Sequence, residues 1–342
     1  MNDLKEETAT DTRMYPALKL MERTTPPLRY GREPLWRSPL PNAVSSPLIP
    51  SWNWHAVRDF APGTETVTLD ANGAYLSALG QTAISHSQLT RTGGTHHYPD
   101  PRTVAPGYYR ITIPHWAFSG TIVSPLGDSA RLQTEDSVWI AHPTLILLLE
   151  LTEPGHIGPF EILDSFTSTK HISFKTWYEK LRAVRTQCID QTEVAHPGGR
   201  PSDDDKCKCT ACVRYNAFKE GYSAALSMML TGSKCKTQRP DWSQAVYATH
   251  SASMWRKAWR YTGTNKHLVS MGHVDEIQIL RADLQEALDR EPKSKPFRFD
   301  ASGRALGAMK IKRYGHLVEE TPADTPRNGT VPGSVEAWEE IL

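Results

Sequence analysis

The run ETVTLDANGAYLSALG, residues 65–80, constrains this chain more than any other stretch. Thr66, Val67, Thr68 and Leu69 alternate in the way a half-buried strand requires, and the alternation stops at Asp70. Small and apolar residues follow, suited to a turn and then a helix. The run predicts a strand, turn, helix unit beginning at Thr64, with a carboxylate at its hinge.

A second pattern lies about two hundred residues downstream. In HLVSMGHVDEIQILRADL, the short apolar runs LVSMGHV and EIQIL flank Asp275. This predicts a β-hairpin with Asp275 at or near its tip. Between the two patterns, GYYRITIPHW and SVWIAHP read as strands, and TLILLLELTEP reads as a short buried helix with a proline stop. FKTWYEKLRAVR predicts a helix over Lys175 to Arg185 with a basic face. The polar interruption HPGGRPSDDDK separates it from a helix expected from about Thr210 through Met229. AVYATHSASMWRKAWRYTG predicts a further helix whose alanines and serines allow close packing, and GRALGAMKIKRYGHLV one last strand. No internal repeat is visible.

Five segments follow from this reading: a proline-rich leader or arm (1–63), a first sheet-bearing part with a β-rich insertion (64–174), paired helices with a cysteine-containing loop (175–240), a second sheet-bearing part (241–317) and an acidic tail (318–342). The chain has 342 residues, enough to bury a sizeable core. With 39 basic and 38 acidic side chains it carries no global field to mark a nucleic-acid binder. Binding through a local groove is still open, since counterion release depends on the charges that touch phosphate and not on their sum. No stretch approaches the roughly 20 apolar residues of a membrane span, and the first residues lack the apolar centre of a secretory signal. The chain therefore reads as cytoplasmic, with no membrane partner.

LDANGAYLSAL, Leu69 to Leu79, resembles the first palm motif of family B DNA polymerases, in particular the protein-primed branch of small phages and linear plasmids. Asp70, Asn72, Tyr75 and Ser77 stand at the motif's positions, and Leu76 replaces its proline. The resemblance implies that Asp70 binds divalent cations, that the following turn with Asn72 meets a triphosphate, and that Tyr75 excludes a ribose 2′-hydroxyl. GHVDEIQIL resembles the third palm motif. Asp275 matches its second aspartate, and His273 stands where the first would be.

VRYNAFKEGYSAALSMMLTG occupies the place of the family's fingers helix. There the resemblance makes Lys219 the residue that meets the incoming triphosphate and protonates the leaving pyrophosphate, with Arg214 beside it. The usual sequence after that lysine is replaced by SAALS. THSASMWRKAWRY resembles the arginine-bearing helix before the third motif, and LGAMKIKRYGHL resembles the last palm strand, which makes Lys310 and Lys312 candidate DNA contacts. The resemblance runs from Thr64 to Leu317. It includes neither an editing exonuclease nor a full thumb, so a polymerase of this form would lack proofreading and would need a partner to complete its grip.

CKCTAC gathers Cys207, Cys209 and Cys212 at a spacing that can wrap a tetrahedral zinc. Cys235 completes the candidate set, with Cys188 and His196 as alternative fourth ligands. With no open coordination position or general base in view, such a site would be structural.

The expectation is an α+β fold: a polymerase palm, an antiparallel sheet backed by helices, with a helical fingers insertion. The function implied is DNA-directed DNA synthesis with Asp70 and Asp275 on two Mg2+ or Mn2+ ions. Its partners would be DNA, deoxynucleoside triphosphates and a terminal or other replication protein. Two alternatives stay open: a catalytically degenerate polymerase fold that binds DNA or a replication partner, and a metal-dependent nuclease using the same carboxylates.

Overall fold

The alternation that ends at Asp70 forms a central strand of a five-stranded antiparallel sheet. The computed structural model describes residues 17, 19–21, 23–24, 28–30, 33–35, 38–56, 60–95, 97–197, 207–231, 237–263, 266–272, 274–289 and 297–317. Its strands are β1 (Leu28–Tyr30), β2 (Glu33–Leu35), β3 (Trp54–His55), β4 (Glu65–Ala71), β5 (Ala83–Ser85), β6 (Thr90–Arg91) and β7 (Gly107–Thr112), followed by β8 (Ser137–Ala141), β9 (Ile162–Thr167), β10 (His171–Ser173), β11 (Leu268–Gly272), β12 (Glu276–Leu280) and β13 (Met309–His316). The helices used below are α1 (Ala74–Leu79), α2 (His142–Thr152), α3 (Lys175–Ala195), α4 (Thr210–Thr231), α5 (Pro240–Thr262) and α6 (Arg281–Asp289). The chain forms two compact units, one from Leu40–Ser173 with Gln244–Ala323, the other centred on Phe174–Ser243 with residues up to Pro39.

In the larger unit the main sheet runs β13-β4-β12-β11-β3, every pairing antiparallel. Its register explains its two faces. Leu69 pairs with Ile277 and Val67 with Ile279, so these four side chains share one face, and all are fully buried. Each is worth roughly 1.5–3 kcal/mol of transfer free energy. The other face pairs Thr68 with Gln278 and Asp70 with Glu276. There a hydrogen-bonded file runs from Ser270 to Gln278 (2.9 Å) to Thr66 (2.9 Å), which keeps those polar groups satisfied. One sheet thus carries an apolar face for the core and a polar face that ends in carboxylates.

A second sheet, β6-β9-β7-β8, is also antiparallel, and β5 pairs with β10. Helix α2 is apolar on nearly all sides, with Leu145, Leu147, Leu148, Leu149 and Leu151 buried, as expected of a helix enclosed by core. From α5 come Met254, Trp255, Ala258 and Tyr261, and the Trp255 indole donates to the Val123 carbonyl at 2.9 Å. The proline-rich stretch contributes too: Leu48 and Trp52 lie in this core, and Ser251 donates to the Pro50 carbonyl at 2.8 Å.

Among the described residues the smaller unit is helical apart from the antiparallel pair β1–β2. Helix α3 buries Trp177, Leu181, Arg185, Cys188, Ile189 and Thr192, a single stripe at helical spacing, and packs on α4. Phe174 packs edge-on against Trp177 (5.2 Å between centroids) and Trp242 (5.4 Å). Arg239 is fully buried, paired with Asp241 at 2.6 Å and lying over the Trp242 ring at 4.0 Å. Among the described residues no helix is long and apolar enough to cross a membrane. The tail expected from residue 318 lies outside the described residues.

Candidate active site

Asp70 is the last but one residue of β4, and the turn after it is set by backbone geometry. Gly73 adopts the left-handed conformation (φ 55°, ψ 52°) and opens α1. Asn72 is buried, its amide donates to the Asp300 carbonyl at 2.8 Å, and its own N–H donates to the Ala308 carbonyl at 2.8 Å. Gly307 returns a hydrogen bond to the Asn72 carbonyl at 2.8 Å. Gly307 has φ +73°, and a Cβ there would sit 2.5 Å from Ser77 Oγ, so any larger residue must displace that hydroxyl and hold a left-handed backbone. Asn72 therefore ties the turn after Asp70 to the loop that leads into β13.

Asp275 enters from the opposite neighbour. Gly272 pairs with Glu276, and residues 273–275 connect β11 to β12. Val274 is held at φ 68°, a left-handed conformation that is costly for a β-branched residue. The Asp275 carbonyl accepts from the Ala71 N–H at 3.3 Å, which stitches the tip of the hairpin to the end of β4. The two aspartates, 205 positions apart in the chain, are therefore neighbours, Asp70 near the end of β4 and Asp275 in the turn that leads into β12. His273 lies outside the described residues.

Electrostatics registers that proximity. Burial pushes the Asp275 carboxyl up to about 6, with the negative charge of Asp70 next in weight; Lys312 pulls it down and Glu276 adds to the rise. Across the sheet Lys310, Asp70 and Glu276 stand in one register row. Lys310 Nζ is 3.2 Å from Asp70, and Lys312 Nζ donates to Glu276 at 2.6 Å. A bulge between Ile311 and Arg313 makes Lys312 the extra residue of β13 and brings both Lys312 and Arg313 to Glu276, the latter at 3.5 Å.

Tyr75 stands beside the carboxylates on α1. Its ring meets Tyr247 at 4.9 Å and His250 at 5.2 Å, both edge-on, and burial, then Tyr247 and Asp275, raise its hydroxyl to about 12. His250 is buried, its imidazole held down to about 3 by desolvation and the Lys257 charge. Lys257 is half-buried, pushed down to about 8 by desolvation and Arg260, and donates to Ser253 at 3.2 Å. The structure thus brings Asp70, Asp275, Tyr75, Lys310 and Lys312 to one end of one sheet. Lys219 (exposed), Arg214 (half-buried) and Cys212 lie on α4 in the helical unit, and Cys207 and Cys209 just before it. Cys235 lies outside the described residues.

Sequence reasoning did not single out Tyr247, His250 or Lys257, nor the pairing of Glu276 with two cations. THSASMWRKAWRY carries a signal for the helix, but which of its residues turn toward Tyr75 depends on packing. The bulge at Lys312 leaves no mark in composition.

No family model matches the chain, and no curated protein matches it. Solved structures do. A structure described as Phi29 DNA polymerase complexed with primer-template DNA (post-translocation binary complex) superimposes with a TM-score of 0.56 at 11% identity, over 91% of this chain and 53% of that one. The orthorhombic crystal form of Phi29 DNA polymerase gives 0.53 at 10% identity, over 88% of this chain and 52% of that one. The fold is polymerase-like. At this identity the likeness concerns architecture alone, and the chain spans about half the length of the polymerases it matches. The mixed α+β architecture, antiparallel sheets with helices, is consistent with the palm expected from the motifs.

Proposed function

We propose that this chain is a DNA polymerase-like nucleotidyltransferase of the family B, protein-primed kind, acting in replication of phage, plasmid or linear DNA ends. The observation that carries the reading is the meeting of Asp70, near the end of β4, with Asp275, in the turn that leads into the adjoining β12, on a polymerase-like fold, close enough for the charge of one to raise the other. The donor set suits divalent cations. Carboxylate oxygens are the ligands of Mg2+ and Mn2+, and a half-buried Asp275 facing the charges of Asp70 and Glu276 is a site where added positive charge relieves repulsion. When bound, two such ions would lower the pKa of the attacking hydroxyl and neutralise the departing pyrophosphate.

The residues of the chain do the rest. Asp70 and Asp275 are the ligands, fixed by the Ala71–Asp275 hydrogen bond and by the register of β4 with β12. Tyr75, wedged against Tyr247 and His250, presents a rigid ring beside the carboxylates, suited to excluding a ribose 2′-hydroxyl. Asn72 supports the turn on which a triphosphate would lie. Lys219 and Arg214 are proposed to neutralise the triphosphate, Lys219 also giving a proton to pyrophosphate. Lys310 and Lys312 are proposed to meet the DNA backbone, and a terminal or other replication protein to act as a partner.

One observation favours a second reading, a non-catalytic polymerase fold that binds DNA: Lys310 already lies 3.2 Å from Asp70 and partly neutralises it. The two separate in one assay. The purified chain is incubated with a primed template, Mg2+ or Mn2+ and labelled deoxynucleotides, beside an Asp70→Ala, Asp275→Ala variant. Extension that disappears in the variant supports the proposal. Binding without extension establishes the second reading, and metal-dependent shortening of the DNA identifies a nuclease instead.

A further inference from the structure

The cysteine cluster carries chemistry that the polymerase reading does not use. His196 caps the C-terminus of α3, Cys207 and Cys209 precede α4, and Cys212 sits in the first turn of α4. Their four ligand atoms all lie within 4.8 Å of one another. His196 Nε2 is 3.3 Å from Cys209 Sγ, 3.5 Å from Cys207 Sγ and 3.3 Å from Cys212 Sγ. A single ring nitrogen has one proton or one lone pair, so it cannot hydrogen-bond three sulfurs at once. Three thiols converging on it call for another explanation.

Metal geometry supplies one. With Zn–S near 2.3 Å and Zn–N near 2.0–2.1 Å, a tetrahedral site has N–S edges of about 3.6 Å and S–S edges of about 3.8 Å. The observed separations, 3.3–3.5 Å to nitrogen and none beyond 4.8 Å, fit a group that closes around one ion. Soft thiolates with one imidazole select zinc over Mg2+ or Ca2+. The Cys212 N–H is directed at Cys209 Sγ at 3.4 Å, the kind of backbone donor that steadies a ligating thiolate. All four cysteines among the described residues are free thiols, so no disulfide competes for the cluster.

We propose that His196, Cys207, Cys209 and Cys212 bind one structural Zn2+ that fastens the end of α3 to the start of α4 across residues 197–206. Four protein ligands leave no open position, so the ion stabilises and does not catalyse. Binding to the folded ligand set adds directly to the stability of this helical pair. The fourth ligand is His196, which replaces the Cys235 expected from the sequence; buried Cys188 stands outside the group.

The full chain, purified without chelator, is assayed for metal by mass spectrometry; about one zinc per chain is expected. Replacement by Co2+ should give the intense ligand-field absorption of a tetrahedral site with thiolate charge-transfer bands. His196→Ala and Cys209→Ser should lose the metal, and Cys235→Ser should keep it. A strong chelator should lower the melting temperature of the wild type. Wild-type protein without zinc and with Cys207, Cys209 and Cys212 all reactive overturns the proposal even where a variant fails to fold. Zinc kept by His196→Ala and lost by Cys235→Ser overturns the ligand assignment.

Discussion

Replacing His250 by phenylalanine should flatten the acid limb of this protein's stability curve. His250 is 3% exposed, its Nε2 meets no hydrogen-bond partner among the described residues, and desolvation with the Lys257 charge depresses the imidazole from 6.5 to about 3. A hydrogen bond with the Val274 backbone opposes that depression without cancelling it. The sign follows from proton counting. Between about 6.5 and about 3 the unfolded chain holds a proton on this histidine and the folded chain does not, so stability present above 6.5 is lost as pH falls. At pH 5 the loss relative to pH 8 is RT ln[(1 + 10^1.5)/(1 + 10^−2)], about 2 kcal/mol. The groups facing His250 enter too: Tyr75 stays neutral throughout this range, and Lys257 stays charged below pH 7. Asp275, raised from 3.8 to about 6, works in the opposite sense, because the folded state holds its proton more tightly. It is common to both proteins and cancels in their difference. Urea unfolding of wild type and His250→Phe at pH 8 and pH 5 measures the effect. The variant will be less stable at pH 8, having left the Val274 carbonyl unpaired at a cost of about 1–3 kcal/mol, but its drop between the two pH values should be smaller by about 2 kcal/mol, which brings the two proteins to within roughly 1 kcal/mol of each other at pH 5. An equal drop in both proteins would refute the reasoning.

Three further outcomes follow from the geometry. Val274 holds φ 68° at the hairpin tip, so Val274→Gly should raise stability by about 1 kcal/mol in urea melts, a gain absent if the strain is not there. Gly307→Ala should cost roughly 1–3 kcal/mol, since its Cβ would meet Ser77 Oγ at 2.5 Å in a left-handed backbone; adding Ser77→Ala should recover the steric part and leave the backbone part. Lys257, depressed from 10.5 to about 8, penalises folding while charged, so wild-type stability should rise as pH climbs through that window. In Lys257→Met that rise should vanish, with stability at pH 7 higher by up to roughly 3 kcal/mol.

Local patterns made much of the frame legible. The β-branched alternation of residues 66–69 and the glycine at 73 mark a strand and a left-handed turn by chemistry alone, and the structure places β4 and α1 there. The paired apolar runs around Asp275 mark β11 and β12 for the same reason. Register was not legible. That Asp70 faces Glu276 on one side and Lys310 on the other depends on how three separate strands align, and a bulge at Lys312 shifts the last of them by one residue. Contacts made by side chains far apart in sequence stayed hidden as well. Nothing in THSASMWRKAWRY says that His250 meets Tyr75, and only the end of α3 shows His196 to be within reach of the cysteines. The helices of residues 175–231 were found by their stripes, but α3 runs ten residues past the basic segment that suggested it. Its later buried positions, Cys188, Ile189 and Thr192, are too sparse and mixed to read without a partner helix.

The account stands or falls on Asp70 and Asp275 sharing divalent cations. Crystals of the full chain with primed template and a non-hydrolysable deoxynucleotide, soaked in Mn2+, would show it by anomalous scattering. The account predicts an anomalous peak about 2.1 Å from a carboxylate oxygen of each residue, with Lys310 displaced from Asp70. Manganese bound to neither aspartate, with the Lys310–Asp70 pair intact beside a bound primer terminus, would contradict it.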